Sequence, residues 1–257
     1  NGSIAVTSIA STYAAFAALR TDGSVVTWGN NVFGGDSDSV SSDINGTISV
    51  VSITATEKAF AALRSDGSVI TWGNSSNGGD SSGVSTELDG STPVTSIYST
   101  ESAFAAVRSD GSVIAWGHGG YGGSTSGVSS DLNGTINVTS IEASRGAFAA
   151  IRSNGSVITW GYGSHGANSS SVSSDIDGSV EVISIASTKQ AFAALRSDGS
   201  VITWGSSNYG GDSSDVSADL DGTVSVTSIV ATDQAFAATR ADGSIVTWGH
   251  SSYGGDS

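Results

Sequence analysis

Short apolar segments alternate with polar, glycine-rich turns along the whole chain. A typical stretch runs from a VTSI-type segment through AFAALR and an Asp-Gly turn to SVITWG. An Asp-Gly pair between two alternating apolar runs is a strong hairpin signal, because such turns need positive φ. Nothing shows a helical period over ten residues. The pattern therefore predicts strands joined by tight turns.

The pattern repeats every 44 residues without a gap. Six tryptophans mark the period: Trp28, Trp72, Trp116, Trp160, Trp204 and Trp248. The repeats are 1–44, 45–88, 89–132, 133–176, 177–220 and 221–257. Each repeat is expected to form a β-meander of three strands, and a short fourth strand in positions 34–44 is left open.

A three-stranded sheet with one apolar face is unstable alone and has to stack on copies of itself. Repeats of this size either close radially or continue as a solenoid. Neither terminal repeat is visibly more polar than the others, whereas an open solenoid needs polar caps. We therefore predict an all-β protein, a six-bladed β-propeller formed by 1–257 as a single domain.

The run AFAALRSDGSVITWGNSSNGG at positions 59–79 resembles the RCC1-type repeat, and the resemblance covers all six units. It is similar in particular to the Ser/Thr-rich versions in long surface proteins of microbes. The resemblance implies a propeller, although RCC1-type propellers usually have seven blades. The family's frequent histidine before the second strand is replaced by Ala15, Ala59, Ala103, Ala147, Ala191 and Ala235. Exchange-factor activity on a small GTPase is therefore not expected.

The charge of the chain argues against some classes of binding partner. With 24 acidic and 9 basic residues the formal charge is −15, which disfavours nucleic acid and anionic membrane surfaces. No apolar run approaches the roughly 18 residues of a membrane-spanning helix, so membrane insertion is not expected. The absence of cysteine excludes a disulfide framework. Because the chain starts part-way through a repeat and without methionine, we interpret it as a processed or excised piece.

Comparison of the repeats locates a candidate binding surface. If the first strand runs upward, loops 10–14 and 30–33 of each repeat lie at one end and the Asp-Gly turns lie at the other. The turns are nearly constant and change at Asn154, whereas the loops differ in every repeat. The candidate binding residues of this variable-loop face are Tyr13, Phe33, Lys58, Tyr98, His118, Tyr121, Arg145, Tyr162, His165, Lys189, Tyr209, His250 and Tyr253. A diversified aromatic and polar surface on a constant scaffold is typical of binding proteins; unconstrained drift of the loops is the alternative.

Two other residue sets recur in every repeat. The tryptophans could stack sugars, but their place at a strand end before glycine favours packing between blades. The arginines could form an anion site, but sixfold repetition favours pairing with nearby aspartates. They are Arg20, Arg64, Arg108, Arg152, Arg196 and Arg240.

The remaining motifs indicate little chemistry. The pairs Asp175/Asp177 and Asp219/Asp221 hint at calcium, yet no bidentate acid follows at the required spacing, so no cofactor is expected and weak surface calcium is left open. The histidines lie in separate repeats, which argues against a catalytic base with its partners. Candidate glycosylation sites are Asn45, Asn74, Asn133, Asn137 and Asn168.

These observations favour a non-enzymatic structural or adhesive propeller module of a larger surface or filamentous assembly. Its expected location is extracellular or at the cell surface, and its expected partners are other protein subunits or glycans, with self-assembly left open. The alternative is a discrete glycan- or protein-binding propeller of the lectin or inhibitor type.

Overall fold

Residues 4–256 are described by a computed structural model, in which eighteen strands form six antiparallel three-stranded sheets. The chain divides into two units, Asn1–Thr125 and Ser126–Ser257, and each contains three of the sheets. In every sheet the strands follow chain order, so each is a simple meander. The prediction of an all-β, six-bladed propeller built from six 44-residue repeats is confirmed.

The bounds of the elements repeat with the sequence period. The strands of the first unit are β1 (Val6–Ser11), β2 (Ala15–Arg20), β3 (Val25–Gly29), β4 (Val50–Ala55), β5 (Ala59–Arg64), β6 (Val69–Gly73), β7 (Val94–Ser99), β8 (Ala103–Arg108) and β9 (Val113–Gly117). Those of the second unit are β10 (Val138–Ala143), β11 (Ala147–Arg152), β12 (Val157–Gly161), β13 (Val182–Ser187), β14 (Ala191–Arg196), β15 (Val201–Gly205), β16 (Val226–Ala231), β17 (Ala235–Arg240) and β18 (Ile245–Gly249). Short 3-10 helices follow the third strands, at Asn31–Phe33, Asp38–Val40, Ser75–Asn77, Ser82–Val84, Gly119–Tyr121, Gly163–His165, Ser170–Val172, Ser207–Tyr209, Ser214–Asp219 and Ser251–Tyr253.

The register of each sheet places aromatic residues opposite one another. In the second repeat Phe60 pairs with Trp72 across β5 and β6, and their rings stack with centroids 5.2 Å apart. Such cross-strand aromatic pairs stabilise a sheet beyond the area they bury. The central strand is otherwise mostly alanine, so a neighbouring sheet can approach it closely.

The Asp-Gly turns have the chemistry that the sequence predicts. Gly67 has φ +81° and its N–H donates to the carbonyl of Arg64 at 2.9 Å. The Asp66 side chain accepts the N–H and the hydroxyl of Ser68. The aspartate thus fixes the turn through its own side chain.

The fourth strand that was left open is not formed in the described residues. In the first repeat the segment contains the 3-10 helix Asp38–Val40, and an isolated bridge joins Ser24 to Asn45. The Asp36 carboxylate accepts the N–H of Asp38 at 2.9 Å. Side chains that bind nearby backbone groups compete with strand pairing, which explains a turn at this position.

The recurrent tryptophans pack between neighbouring repeats of a unit, as predicted. Trp72 is buried, and its Nε1 donates to the carbonyl of Gly34 in the preceding repeat at 3.1 Å. Trp116, Trp160, Trp204 and Trp248 are also buried. Trp28 in the first repeat differs, because 45% of it is exposed.

The arginines described with ion pairs lie beside aspartates, which also agrees with the sequence. Arg108 and Arg196 approach the aspartate of their own turn, at 3.9 and 3.6 Å. Arg152 and Arg240 approach an aspartate of the preceding repeat within the same unit, at 3.2 and 2.9 Å. Arg64 approaches both kinds, Asp43 at 3.8 Å and Asp66 at 3.9 Å.

Candidate functional site: the loop end of the blades

Two loops of each repeat meet at one end of the sheet, which we call the loop end. They are the loop between the first and second strands and the 3-10 turn after the third strand. In the second repeat the buried Thr56 hydroxyl donates to the carbonyl of Asn77 at 3.0 Å and accepts the N–H of Ala59. A Thr or Ser makes the same bridge in all six repeats. The predicted grouping of these loops is therefore present within every repeat.

Neighbouring repeats are also linked at the loop end, and the link uses backbone atoms. In the first unit the N–H of Tyr13 donates to the carbonyl of Glu57, and the N–H of Glu57 donates to that of Glu101, both at 2.9 Å. In the second unit Arg145 donates to Lys189 at 3.0 Å and Lys189 to Asp233 at 2.9 Å. The side chains at this position are consequently not needed for the link.

In the first unit three candidate residues form one cluster. The rings of Tyr13 and Phe33 lie with centroids 5.8 Å apart, and the ammonium of Lys58 lies 5.5 Å from the Phe33 centroid. Tyr13 is 80% exposed. An exposed tyrosine beside a cation and a second ring offers apolar area together with hydrogen-bonding groups, as interface hot spots do.

In the second unit the residues at the repeat position of Tyr13, namely Arg145, Lys189 and Asp233, line a shallow groove of about 390 Å³. Arg145 and Lys189 are exposed there, and Lys189 forms an ion pair with Asp233 at 2.5 Å. The hydrogen bond to Asp233 raises the pKa of Lys189. The groove therefore places cationic side chains on a strongly acidic protein, which suits an anionic group of a partner.

The 3-10 turns hold aromatic pairs that the sequence analysis did not find. His118 and Tyr121 lie edge to face at 5.1 Å, and His250 and Tyr253 do the same at 5.1 Å. In the fourth repeat Tyr162 and His165 pair at 4.7 Å in the reverse order. Residues three apart eclipse in a 3-10 helix, so this spacing was the available signal.

Two predicted binding residues have other positions. His165 is buried, so its side chain is not accessible to a partner. Its backbone carbonyl accepts the Ser144 hydroxyl at 2.7 Å. Tyr98 lies inside β7 and is half-buried, because the strand extends one residue beyond it. Tyr121 and Tyr209 are half-buried as well. Their neighbours in the turns leave part of each ring uncovered.

Glu142 is a titratable residue of strand β10, the first strand of its sheet, and the sequence analysis missed it. Burial raises the pKa of its carboxyl, and a hydrogen bond of 2.7 Å from the Ser187 hydroxyl opposes that shift. Its position in the repeat is occupied elsewhere by Ala10, Thr54, Tyr98, Ala186 and Val230. A single acid among unrelated side chains carries no periodic signal.

The candidate calcium and glycosylation positions take part in turns. Asp177 and Asp221 each accept a backbone N–H two residues ahead at 2.7 Å. Asn45, Asn133 and Asn168 are exposed and accept in the same way. Asn74 caps a 3-10 helix, and Asn137 is exposed. Among residues 4–256, no group of three or more His, Cys, Asp or Glu could hold a metal ion.

Comparison with known proteins identifies the repeat. Residues 6–34 match the family model described as the regulator of chromosome condensation (RCC1) repeat. Over this repeat the chain is therefore similar to RCC1-repeat proteins, as its sequence indicates. The match covers β1 to the first 3-10 turn, and that arrangement of elements recurs in all six repeats. A search of curated proteins returned no match.

Solved structures share the RCC1-like fold at low identity. The ectodomain of the Physcomitrella patens receptor kinase CR4 aligns with 96% of the chain at 18% identity and a TM-score of 0.53. Yeast RCC1 (Prp20), in its complex with Kap60, aligns with 95% at 17% and 0.56, and human WBSCR16 with 96% at 16% and 0.56. The chain spans 62% of the length of the first of these, 70% of the second and 77% of the third.

No helix in the described part of the chain is long and apolar enough to cross a membrane.

Proposed function

We propose that this chain is a non-enzymatic structural or adhesive module of a larger extracellular or cell-surface assembly and that it binds a protein partner through the loop end of its blades. The observation that carries the proposal is the contrast, within each repeat, between constant scaffold positions and variable loop positions. The sheets, the Asp-Gly turns and the contacts between neighbouring repeats use nearly the same residues in every repeat. The loop end differs in every repeat and is exposed at Tyr13, Arg145, Tyr162 and Lys189.

The chemistry of the loop end supports a protein partner. Interfaces are enriched in tyrosine and arginine, which contribute large rigid contact areas and fork-shaped donors. The first unit offers Tyr13 beside Phe33 and Lys58, and the second offers Arg145 and Lys189. Yeast RCC1, which shares the fold, was crystallised bound to the protein Kap60.

Photo-crosslinking in the native assembly tests the proposal. A photo-crosslinking amino acid at Tyr13 is expected to capture a second protein in one reproducible adduct. The matched control carries the same group at Thr21, which is also exposed but belongs to the turn of the same repeat. Capture from Thr21 and none from Tyr13 would contradict the proposal, because the constant end would then be the binding surface.

A glycan-binding role is the second candidate, and the exposed rings favour it. Tyr13 and Tyr162 each present an accessible aromatic face, and aromatic faces pack against apolar surfaces of a ligand. Binding on a glycan array that is lost in both Tyr13→Ala and Tyr162→Ala would select this role. Crosslinks to protein with no glycan binding select the structural module.

A further inference from the structure

A small pocket lies between the first strands of the fourth and fifth repeats, β10 and β13. Its volume is about 180 Å³, and every residue that lines it belongs to the second unit. Four isoleucines line it together with two serines and the Glu142 carboxyl. The isoleucines are Ile141, Ile151, Ile183 and Ile185. Ile183 is 57% exposed, so the pocket opens to solvent at that residue.

The Glu142 carboxyl is only partly satisfied by its neighbours. Its Oε1 accepts the Ser187 hydroxyl at 2.7 Å, whereas an ionised carboxylate can accept about four hydrogen bonds. Among residues 4–256 no cationic side chain forms an ion pair with Glu142, and burial raises the pKa of its carboxyl. A charge in apolar surroundings is costly until a counter-charge pairs with it. The second oxygen of Glu142 is therefore a favourable position for a cation.

The contact between β10 and β13 does not need this acid. The Ser187 hydroxyl also donates to the carbonyl of Ala143 at 2.9 Å. Ser99 makes the matching bond to Ala55 two repeats earlier, also at 2.9 Å, where a threonine takes the place of Glu142. The link between first strands thus forms without a carboxylate, which leaves Glu142 available for another role.

The size and chemistry of the pocket fit a lysine side chain. A volume of about 180 Å³ is below the roughly 300–1,000 Å³ of typical small-molecule sites, so the pocket suits one side chain. Lysine combines an alkyl stem, which packs along aliphatic walls, with an ammonium that carries three donors. Arginine binds best when both oxygens of a carboxylate accept its fork, and one oxygen of Glu142 already accepts Ser187. The formal charge of −15 also favours a basic residue of a partner.

We propose that this pocket binds a lysine side chain of a protein partner, with the stem between the isoleucines and the ammonium on the second oxygen of Glu142. The inference rests on the proposed function for the partner being a protein. Ser187, which donates to Glu142, also lines the groove of Arg145 and Lys189 at the loop end. The partner surface would then carry an acidic group for the groove and a lysine for the pocket in neighbouring positions.

An NMR titration of the whole chain, with labelled isoleucine methyl groups, tests the pocket without the partner. The probe is Nα-acetyl-lysine methylamide, which is expected to shift the signals of the four lining isoleucines in a saturable way. The matched probe is Nα-acetyl-norleucine methylamide, which has the same four-carbon stem and no ammonium. It is expected to bind about tenfold more weakly or less, because it cannot form the charged hydrogen bond.

Two variants locate the counter-charge. Glu142→Gln keeps the size of the side chain and an acceptor for Ser187 but removes the charge, so it is expected to weaken binding of the lysine probe about tenfold or more. Glu181→Gln removes the same charge from an exposed position of the second unit outside the pocket and is expected to bind like the wild type. Thermal unfolding checks that both variants are folded, and the norleucine comparison uses the unaltered chain and does not depend on them.

The inference is wrong if the lysine probe shifts none of the four isoleucine signals, or if the norleucine probe binds as tightly. Equal binding by Glu142→Gln and the wild type would exclude the carboxylate as the counter-charge. An equal loss in Glu181→Gln would show attraction to the net charge of the protein and would also overturn the inference. None of these results bears on capture of a protein from Tyr13, so the proposed function and this inference can fail separately.

Discussion

The first two repeats contain the same aromatic pair in two environments. Phe60 and Trp72 are buried under the first repeat, whereas Phe16 and Trp28 have the same stacking and are 45% exposed. Sheet geometry is thus set within a repeat, by cross-strand register, and burial is set by the neighbour. The comparison separates two contributions to stability: pairing within one repeat, and burial against the neighbouring repeat.

The largest effect is expected at the buried pair. Trp72→Ala removes a buried indole and its bond to Gly34, so it should cost about 3–5 kcal/mol of unfolding free energy. Trp28→Ala at the exposed pair should cost about 1 kcal/mol or less, as exposed substitutions usually do. Urea unfolding of both variants at a concentration where the chain is monomeric measures the difference. Equal losses would show that Trp28 is covered in the monomer.

A smaller difference in stability is expected between two glycines that end 3-10 turns, Gly78 and Gly254. Gly78→Ala and Gly254→Ala place alanine at the same φ of +96°, so both incur about 1–2 kcal/mol of backbone strain. In Gly78→Ala the new methyl also meets Phe104, which adds about 1–3 kcal/mol of overpacking. The midpoint of thermal unfolding should therefore fall further for Gly78→Ala. Identical midpoints would contradict the close contact between Gly78 and Phe104.

A smaller loss is expected where the two loops are tied. Thr56→Val leaves the Asn77 carbonyl and the Ala59 N–H without their buried partner, at a cost of about 1–3 kcal/mol. Thr12→Val breaks the matching bridge in the first repeat, where the threonine is only half-buried and water can replace it. Chemical denaturation should rank Thr56→Val as the less stable variant. The opposite order would indicate that burial does not control this bridge.

The smallest effect is expected at the turns, which are alike in all repeats. Hydrogen bonds from Ser112 and Ser24 lower the pKa values of Asp110 and Asp22. A carboxyl whose pKa is lower in the folded protein stabilises it above the ordinary value of 3.8, and this contribution is lost as pH falls through the folded pKa. Asp110→Asn and Asp22→Asn should therefore flatten the acid limb of the stability profile to a similar, small extent.

Asn154 shows that the turn accepts the neutral residue, since its side chain makes the same bonds to Ser156. A much larger change of the acid limb in Asp110→Asn than in Asp22→Asn would mean that the stability of the turn depends on a neighbouring repeat. Urea midpoints between pH 2 and 6 are the measurement.

Most of the fold could be predicted because its signals are periodic. The Trp-Gly spacing and the Asp-Gly turns predicted three strands in each repeat, and they occur at the same positions six times. The 3-10 turns were missed, because they depend on local bonds such as that from Asp38 to Asp36 and have no hydrophobic period. Closure of the repeats as a single domain stays a prediction.

The candidate site was less predictable, because its residues are those that do not repeat. Grouping of the loops followed from strand direction alone, but the burial of His165 depends on how one turn packs. The cluster of Tyr13, Phe33 and Lys58 joins residues of two repeats, and sequence spacing does not give their distances. Glu142 had no counterpart to reveal it.

The backbone bonds that link neighbouring loops have a consequence for how this protein can change. Because the N–H of Glu57 and the carbonyl of Glu101 make the link, any residue except proline can occupy such a position. Whole repeats of identical length can therefore be exchanged by recombination without shifting the register, and each exchange would bring a new side chain to the same place. A lineage carrying this gene could alter its surface while the encoded scaffold keeps its stability.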